Sequence, residues 1–130
     1  MNAVIFVSLL AVVQYMSLAA LVGRARSAYG IKAPAITGHE KFERYYRVQM
    51  NTLELLVAYL PALWLAAQFW SPNGMAAIGA VYLLGRTLYA RSYIREPASR
   101  GLGFLLSLVP IVILLVAGLI GVMLAMLESV

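Results

Sequence analysis

The chain has no cysteine, which removes disulfides, thiolate metal sites and a nucleophilic thiol of its own from consideration. It has a single histidine, His39, and no His/Asp/Glu cluster with the spacing of a metal site, so no metal ion is expected. Glycine-rich phosphate loops are missing too, and with them any visible nucleotide or flavin site. Low-complexity tracts and internal repeats are also absent. Charge is scarce: only 12% of the 130 residues are charged, and the stretch Ser71-Pro72-Asn73-Gly74 carries none. Apolar residues make up 63% of the chain, with a mean hydropathy of +0.87, which places a single domain in a bilayer rather than in water.

Four apolar stretches are legible, Asn2–Gly23, Tyr46–Trp70, Met75–Tyr93 and Leu102–Leu127. Each approaches or exceeds the ~20 residues that cross ~30 Å of hydrocarbon at 1.5 Å per residue. The reading is an all-α integral membrane protein, a four-transmembrane-helix bundle with helices over residues 2–23, 43–70, 75–95 and 102–127. The first stretch lacks the basic leader and small-residue cleavage site of a secretory signal, so it is read as a retained helix. A net charge of +5 would suggest nucleic acid in a soluble chain, but the placement of the bases argues otherwise. All ten Lys and Arg residues fall in Arg24–Arg47 and Arg86–Arg100. Those two segments then share one side of the membrane, which the positive-inside rule makes cytoplasmic, with both termini opposite. The expected location is a bacterial inner membrane, with both termini periplasmic.

Punctuation within the chain is clear. Pro34 and Gly38 make Ala33–His39 an irregular segment, after which the second helix starts within Glu40–Arg44. Pro61 lies deep in that helix and is expected to kink it; Pro110 sits likewise in the fourth. Ser71–Gly74 reads as a tight turn and Pro97 as a short break. Trp64, Trp70 and Tyr82 are expected as interface anchors or packing groups.

Against this background one polar group stands out. Arg47, Gln49, Asn51 and Glu54 lie within eight residues at the start of a lipid-type segment. Arg47, Asn51 and Glu54 stand at i, i+4 and i+7 and share a helix face. Glu54, the deepest acid, would cost on the order of 2.5–3.5 kcal/mol unpaired, so it needs a partner, and Arg47 is one candidate. A second stripe, Arg86, Tyr89 and Tyr93, follows at i, i+3 and i+7, with Arg91, Arg95 and Arg100 at the same end. Arg86 is set aside as a direct ligand because it is available to pair with Glu54 inside the bundle. Arginines match carboxylates in forked geometry, while a carboxylate with Asn and Gln suits an ammonium and amides. The complement is a small, doubly anionic, peptide-like molecule with a free amine, an inventory that glutathione has.

The run Phe42-Glu43-Arg44-Tyr45-Tyr46-Arg47-Val48-Gln49-Met50-Asn51-Thr52-Leu53-Glu54 strongly resembles the second-helix signature of the membrane-associated proteins in eicosanoid and glutathione metabolism, the MAPEG family. The resemblance continues through Gly85-Arg86-Thr87-Leu88-Tyr89-Ala90-Arg91-Ser92-Tyr93, reaches Arg100 and covers nearly the whole chain. It implies a homotrimer of four-helix bundles, with glutathione held between neighbouring subunits near the cytoplasmic face. Arg26, Arg47, Gln49, Asn51, Glu54, Tyr89 and Tyr93 match glutathione-binding positions. Arg100 matches the arginine that faces the glutathione sulfur in the cysteinyl-leukotriene synthase branch. Two positions depart from that branch: Leu55 stands where it has a tyrosine, and Ser27 where it has a second arginine. The departures favour a broad glutathione transferase, with peroxidase activity as a variant, over leukotriene synthesis. Glutathione would be the cosubstrate, and a lipophilic electrophile would enter from membrane lipid. Two readings from other classes compete, a small proton-coupled multidrug exporter using Glu54 and a non-catalytic lipid-binding scaffold.

Overall fold

Local signals bound each helix, and the backbone obeys them. The computed structural model describes residues 1–130: α1 (Asn2–Tyr29), α2 (Glu40–Ala66), α3 (Pro72–Arg95) and α4 (Gly101–Glu128), with a 3-10 turn over Pro97–Ser99. α1 runs on past residue 23, because an isolated glycine does not stop a helix. It ends at Gly30, whose φ of 67° is the left-handed cap that glycine adopts without strain, and its N–H reaches the Arg26 carbonyl. The extra turns lift Arg24 and Arg26 clear of the apolar stretch. α2 begins at residue 40 rather than 43: His39 Nδ1 accepts from Lys41 N–H at 3.1 Å, and Glu40 and Glu43 occupy the positive first turn. It also ends earlier than expected, at Ala66, and continues as a helix through Pro61. Ser71 caps α3 by accepting from Gly74 N–H, so α3 starts at Pro72, a residue suited to a first turn.

Three helices, α1, α2 and α4, are long and apolar enough to cross a membrane. At about 36 Å, α3 has the length, but Arg86, Thr87, Arg91 and Arg95 make it too polar to face lipid all round. Its neighbours supply the cover. α2 and α3 pack on each other and each packs on both flanking helices, α1 and α4. The chain is therefore a multi-pass integral membrane protein of four helices, with α2 and α3 at its centre.

The apolar core lies towards the uncharged end. Val4, Val7 and Ala11 of α1 meet Tyr59, Ala62 and Leu63 of α2, Tyr82 of α3 and Leu114 of α4. Tyr59 and Tyr82 stack with ring centres 3.9 Å apart, and Tyr59 Oη donates to the Gly79 carbonyl at 3.0 Å. Trp64 Nε1 donates to Ser8 at 2.8 Å, and Trp70 Nε1 to the Ala117 carbonyl at 2.8 Å. The tryptophans are thus ties between helices, and Tyr82 is fully buried rather than interfacial.

α3 and α4 approach almost backbone to backbone in the other half. A Cβ on Gly85 would stand 2.6 Å from the Ser107 nitrogen, and one on Gly103 would stand 2.6 Å from Tyr89 Cα. Lipid offers no hydrophobic drive for helix association, so small residues that admit close contact take on that task. Gly103→Ala is expected to destabilise the bundle by about 1–3 kcal/mol, because backbone cannot step aside. Gly118→Ala, whose Cβ would meet nothing closer than 3.6 Å, is the near-neutral control. Thermal unfolding of both variants in detergent checks the difference.

Candidate functional site

The close packing of α3 on α4 brings Arg86 to the middle of the bundle, where it is 1% exposed. Its partners are all neutral. Nε donates to Ser107 Oγ at 2.8 Å, and Nη1 donates to Asn51 Oδ1 at 2.8 Å and Thr52 Oγ1 at 3.2 Å. The guanidinium also lies over the Tyr89 ring, 4.2 Å from its centre. Two hydroxyls in this cradle have committed their protons to their own helices: Thr52 donates to Val48 O and Ser107 to Gly103 O. Their lone pairs are left for Arg86.

The expectation that Arg86 pairs with Glu54 is therefore corrected. Glu54 takes Arg47, its Oε1 at 3.1 Å from Arg47 Nη1, and both side chains are about half exposed, at 54% and 50%. The shared face of Arg47, Asn51 and Glu54 is likewise split. At 100° per residue, Asn51 and Glu54 lie about 60° apart around α2. That is enough to turn Asn51 inward, where it is 8% exposed, while Glu54 stays outside. Glu54 stands halfway along α2, so a half-exposed ion pair there cannot face acyl chains; it must meet protein, water or a polar ligand.

Arg47 of this pair also lines a cavity of about 440 Å³, together with Glu40, Glu43, Arg44, Tyr46, Tyr93 and Pro97. A volume of this order suits a small-molecule site. Arg44 fixes its wall: its guanidinium bonds Glu40 at 2.6 Å and donates to the Ile94 and Arg95 carbonyls, both at 3.1 Å. A cation at those last carbonyls also satisfies the negative end of α3. Tyr93 stacks on Tyr89 with ring centres 5.5 Å apart, which links the cavity to Arg86. Arg100 is exposed on the Pro97 side and donates to the Pro97 carbonyl at 2.9 Å.

Six of the predicted residues, Arg47, Asn51, Glu54, Tyr89, Tyr93 and Arg100, thus converge on the α2–α3 side of the chain. Arg26 and Gln49 do not join them. Arg26 donates to the Ala35 carbonyl at 2.6 Å and lies 4.9 Å from the centre of the Phe42 ring. Gln49, half-buried, stands at i+7 from Phe42 and so shares its face, about 200° round α2 from Asn51. Within one subunit, α2 separates the two groups. Arg44, Thr52 and Ser107 belong to the site as well and were not foreseen. Gly103 and Ser107, at i and i+4 on an otherwise apolar helix, were the legible signal for the last of these.

Comparison with known proteins gives a consistent family pattern. The MAPEG family pattern matches residues 4–120. An uncharacterized protein of Synechocystis is 46% identical over 117 residues, 90% of this chain and 85% of its own. Human microsomal glutathione S-transferase 2 is 35% identical over 116 residues, 89% of this chain and 79% of its own. Bovine leukotriene C4 synthase is 38% identical over 76 residues, 58% of this chain and 51% of its own.

The reading that the Arg47–Glu54 pair meets water or a polar ligand has a direct consequence in a chain free of cysteine. Glu54→Cys in liposomes is expected to react with a water-soluble maleimide, whereas Val57→Cys, 70% exposed but on an apolar surface, is expected to stay unlabelled. Protection at both positions would mean the ion pair is sealed against protein.

Proposed function

This chain belongs to the MAPEG family, and from that premise we propose that it is a membrane-bound glutathione transferase. One observation carries the reading: a half-exposed Arg47–Glu54 pair in the basic half of the apolar segment, beside a cavity that holds both signs of charge and the Tyr93 ring. Glutathione offers carboxylates to Arg47, an amine to Glu54, and amides and carbonyls to Asn51 and Gln49. Tyr89 and Tyr93 would orient it. The similarity to proteins named microsomal glutathione S-transferase 2 and leukotriene C4 synthase supports the same ligand.

The division of the site residues into two groups supports a site shared between subunits of a homotrimer. Arg26 and Gln49 of one copy would meet Arg47, Asn51, Glu54, Tyr89 and Tyr93 of the next. That arrangement also covers the half-exposed ion pair, which a lone subunit would leave against lipid. The site would lie towards the basic, cytoplasmic side, where Arg26, Arg91, Arg95 and Arg100 cluster, with the termini on the far side.

The chemistry follows from the thiol. Only the thiolate is a strong nucleophile, and a guanidinium within hydrogen-bonding reach favours it by direct charge pairing. Arg100 is exposed and bonded only to a backbone carbonyl of the cavity wall, so it is free to turn to a bound sulfur. The thiolate then attacks a lipophilic electrophile arriving from the bilayer; with an aryl halide the C–S bond forms as halide leaves. With a lipid hydroperoxide the O–O bond breaks, one oxygen stays on the lipid as its alcohol, the other leaves as water with the two thiol protons, and two glutathiones are oxidised to their disulfide. Holding both reactants adds proximity to activation.

Purified protein incubated with glutathione and a chromogenic aryl halide, then with a lipid hydroperoxide, tests this directly. Turnover of neither, in protein that binds lipid, would return the scaffold reading. Arg100→Ala is expected to lower turnover by about 100-fold or more, as loss of a charge-stabilising donor does, while glutathione binding weakens but stays measurable. The pH profile gives the sign. With Arg100 present the thiol titrates below its ordinary ~8.5, so the rate rises at lower pH; in the variant the rise moves back up towards ~8.5. Glu54→Gln is expected to raise the glutathione dissociation constant in calorimetry, and an unchanged value would make the Arg47–Glu54 pair purely structural.

A further inference from the structure

We infer that Arg86 is a positioning residue that fixes the side-chain amide of Asn51, so that position 51 can only donate a hydrogen bond and thereby selects an acceptor group on the ligand. The inference rests on the proposal that glutathione is the ligand, and it concerns a residue that does not touch it.

Donor and acceptor roles around Arg86 leave no alternative. A guanidinium has five N–H donors and no acceptor. The atom of Asn51 that lies 2.8 Å from Arg86 Nη1 must therefore be the carbonyl oxygen, and Nδ2 must point the other way. Nδ2 makes no bond within the chain and is not sealed from the surface, whereas Oδ1 is held inside. Asn51 would otherwise be free to turn its amide by half a turn and present either end. Arg86 removes that freedom. Three further anchors prevent Arg86 itself from moving: Ser107 on Nε, Thr52 on Nη1 and the Tyr89 ring beneath it. Both hydroxyls have their protons committed elsewhere, so neither can turn to offer one.

Economy of folding points to the same role. A cation buried among neutral groups carries a desolvation cost that a well-packed apolar side chain of similar volume would avoid. Stability alone gives no reason to keep a guanidinium there. Orientation does, because no apolar residue can dictate which end of an amide faces the ligand. The selected group is an acceptor, a carboxylate or peptide carbonyl of the tripeptide. An ammonium presented at the same place would meet two N–H groups and be refused.

Asn51→Asp separates orientation from packing. It keeps an oxygen for Arg86, and its charge strengthens that contact, but it has no donor left and sets a carboxylate against an acceptor. Its unfolding midpoint in detergent is expected to equal or exceed that of the wild type, with glutathione affinity down about 10- to 100-fold. Arg86→Lys keeps the charge but loses the rigid planar fork whose Nε and Nη1 serve Ser107 and Asn51 in fixed directions. Its KM for glutathione is expected to rise about tenfold, with kcat at saturation little changed. Either variant folded with wild-type affinity would overturn the inference, as would Arg86→Lys lowering kcat while KM stays. A third measurement needs no variant. The chain has three asparagines, so selective isotope labelling gives three side-chain amides. The Asn51 Nδ2 resonance is expected to move on adding glutathione, and a still resonance in protein whose calorimetry shows binding would overturn the proposal. Calorimetry of the wild type with no heat on adding glutathione would instead remove the transferase reading, and this inference with it.

Discussion

A guanidinium in the middle of a membrane bundle, with no carboxylate in reach, sets the terms for much of this structure. Arg86 joins three helices through one group: α2 by Asn51 and Thr52, α4 by Ser107, and its own helix by Tyr89. Such contacts demand that α3 and α4 touch nearly at the backbone, and Gly85 and Gly103 make that possible. Each bond to the charged group is worth more than an ordinary one, and loss of any acceptor would strand a further N–H beside Nη2, which is buried with no partner in the chain. The polar centre and the glycine contacts are therefore one device. Neither has a purpose without the other.

Two arginines on neighbouring helices illustrate how position decides role. Arg86 is sealed and has neutral partners, so it holds geometry. Arg47 is half exposed and has a carboxylate, so the pair can open to a zwitterion that replaces each partner with a charge of the right sign. An ion pair standing free within the apolar segment is expensive in lipid and modest in water. Its persistence fits a ligand-exchange site better than a structural tie. The exporter reading, in which a membrane glutamate works without matching arginines, fits this pairing poorly.

The sequence made the helix count and the basic end legible, because long apolar runs, Pro and Gly report on backbone directly. Helix ends were less so: Gly23 looked like a stop and was not, since no second breaker followed until Gly30. The site residues were named from their family pattern, and six of them converge within one subunit. Partner choice was the part the sequence hid. Glu54 had two arginines within reason, and spacing along a helix cannot tell Arg47 from a residue on another helix. Asn51 was grouped on one face with Arg47 and Glu54 because i, i+4 and i+7 blur about 60° of rotation into one stripe. Thr52 and Ser107 were overlooked because hydroxyls on apolar helices usually satisfy their own i−4 carbonyls, as both do here. Only their unused lone pairs reveal a second task.

Function and stability divide along the membrane normal. Near the uncharged turn, side chains interlock without buried charge: Tyr59 on Tyr82, Trp64 on Ser8, Leu63 and Leu114 fully buried. Towards the basic end the interior becomes polar: Asn51, Thr52, Ser107 and the Tyr89 ring are turned on Arg86, and Tyr93 joins Tyr89 to the Arg47 cavity. A bundle can tolerate that second half only because the first half is well packed, since the polar half alone would gain little from leaving water. The same asymmetry fits the position proposed for the site. On the proposed reading, a water-soluble tripeptide would reach the basic mouth from solution, an apolar electrophile would travel in the hydrocarbon, and the level of Arg47 and Glu54 would be where both are held at once.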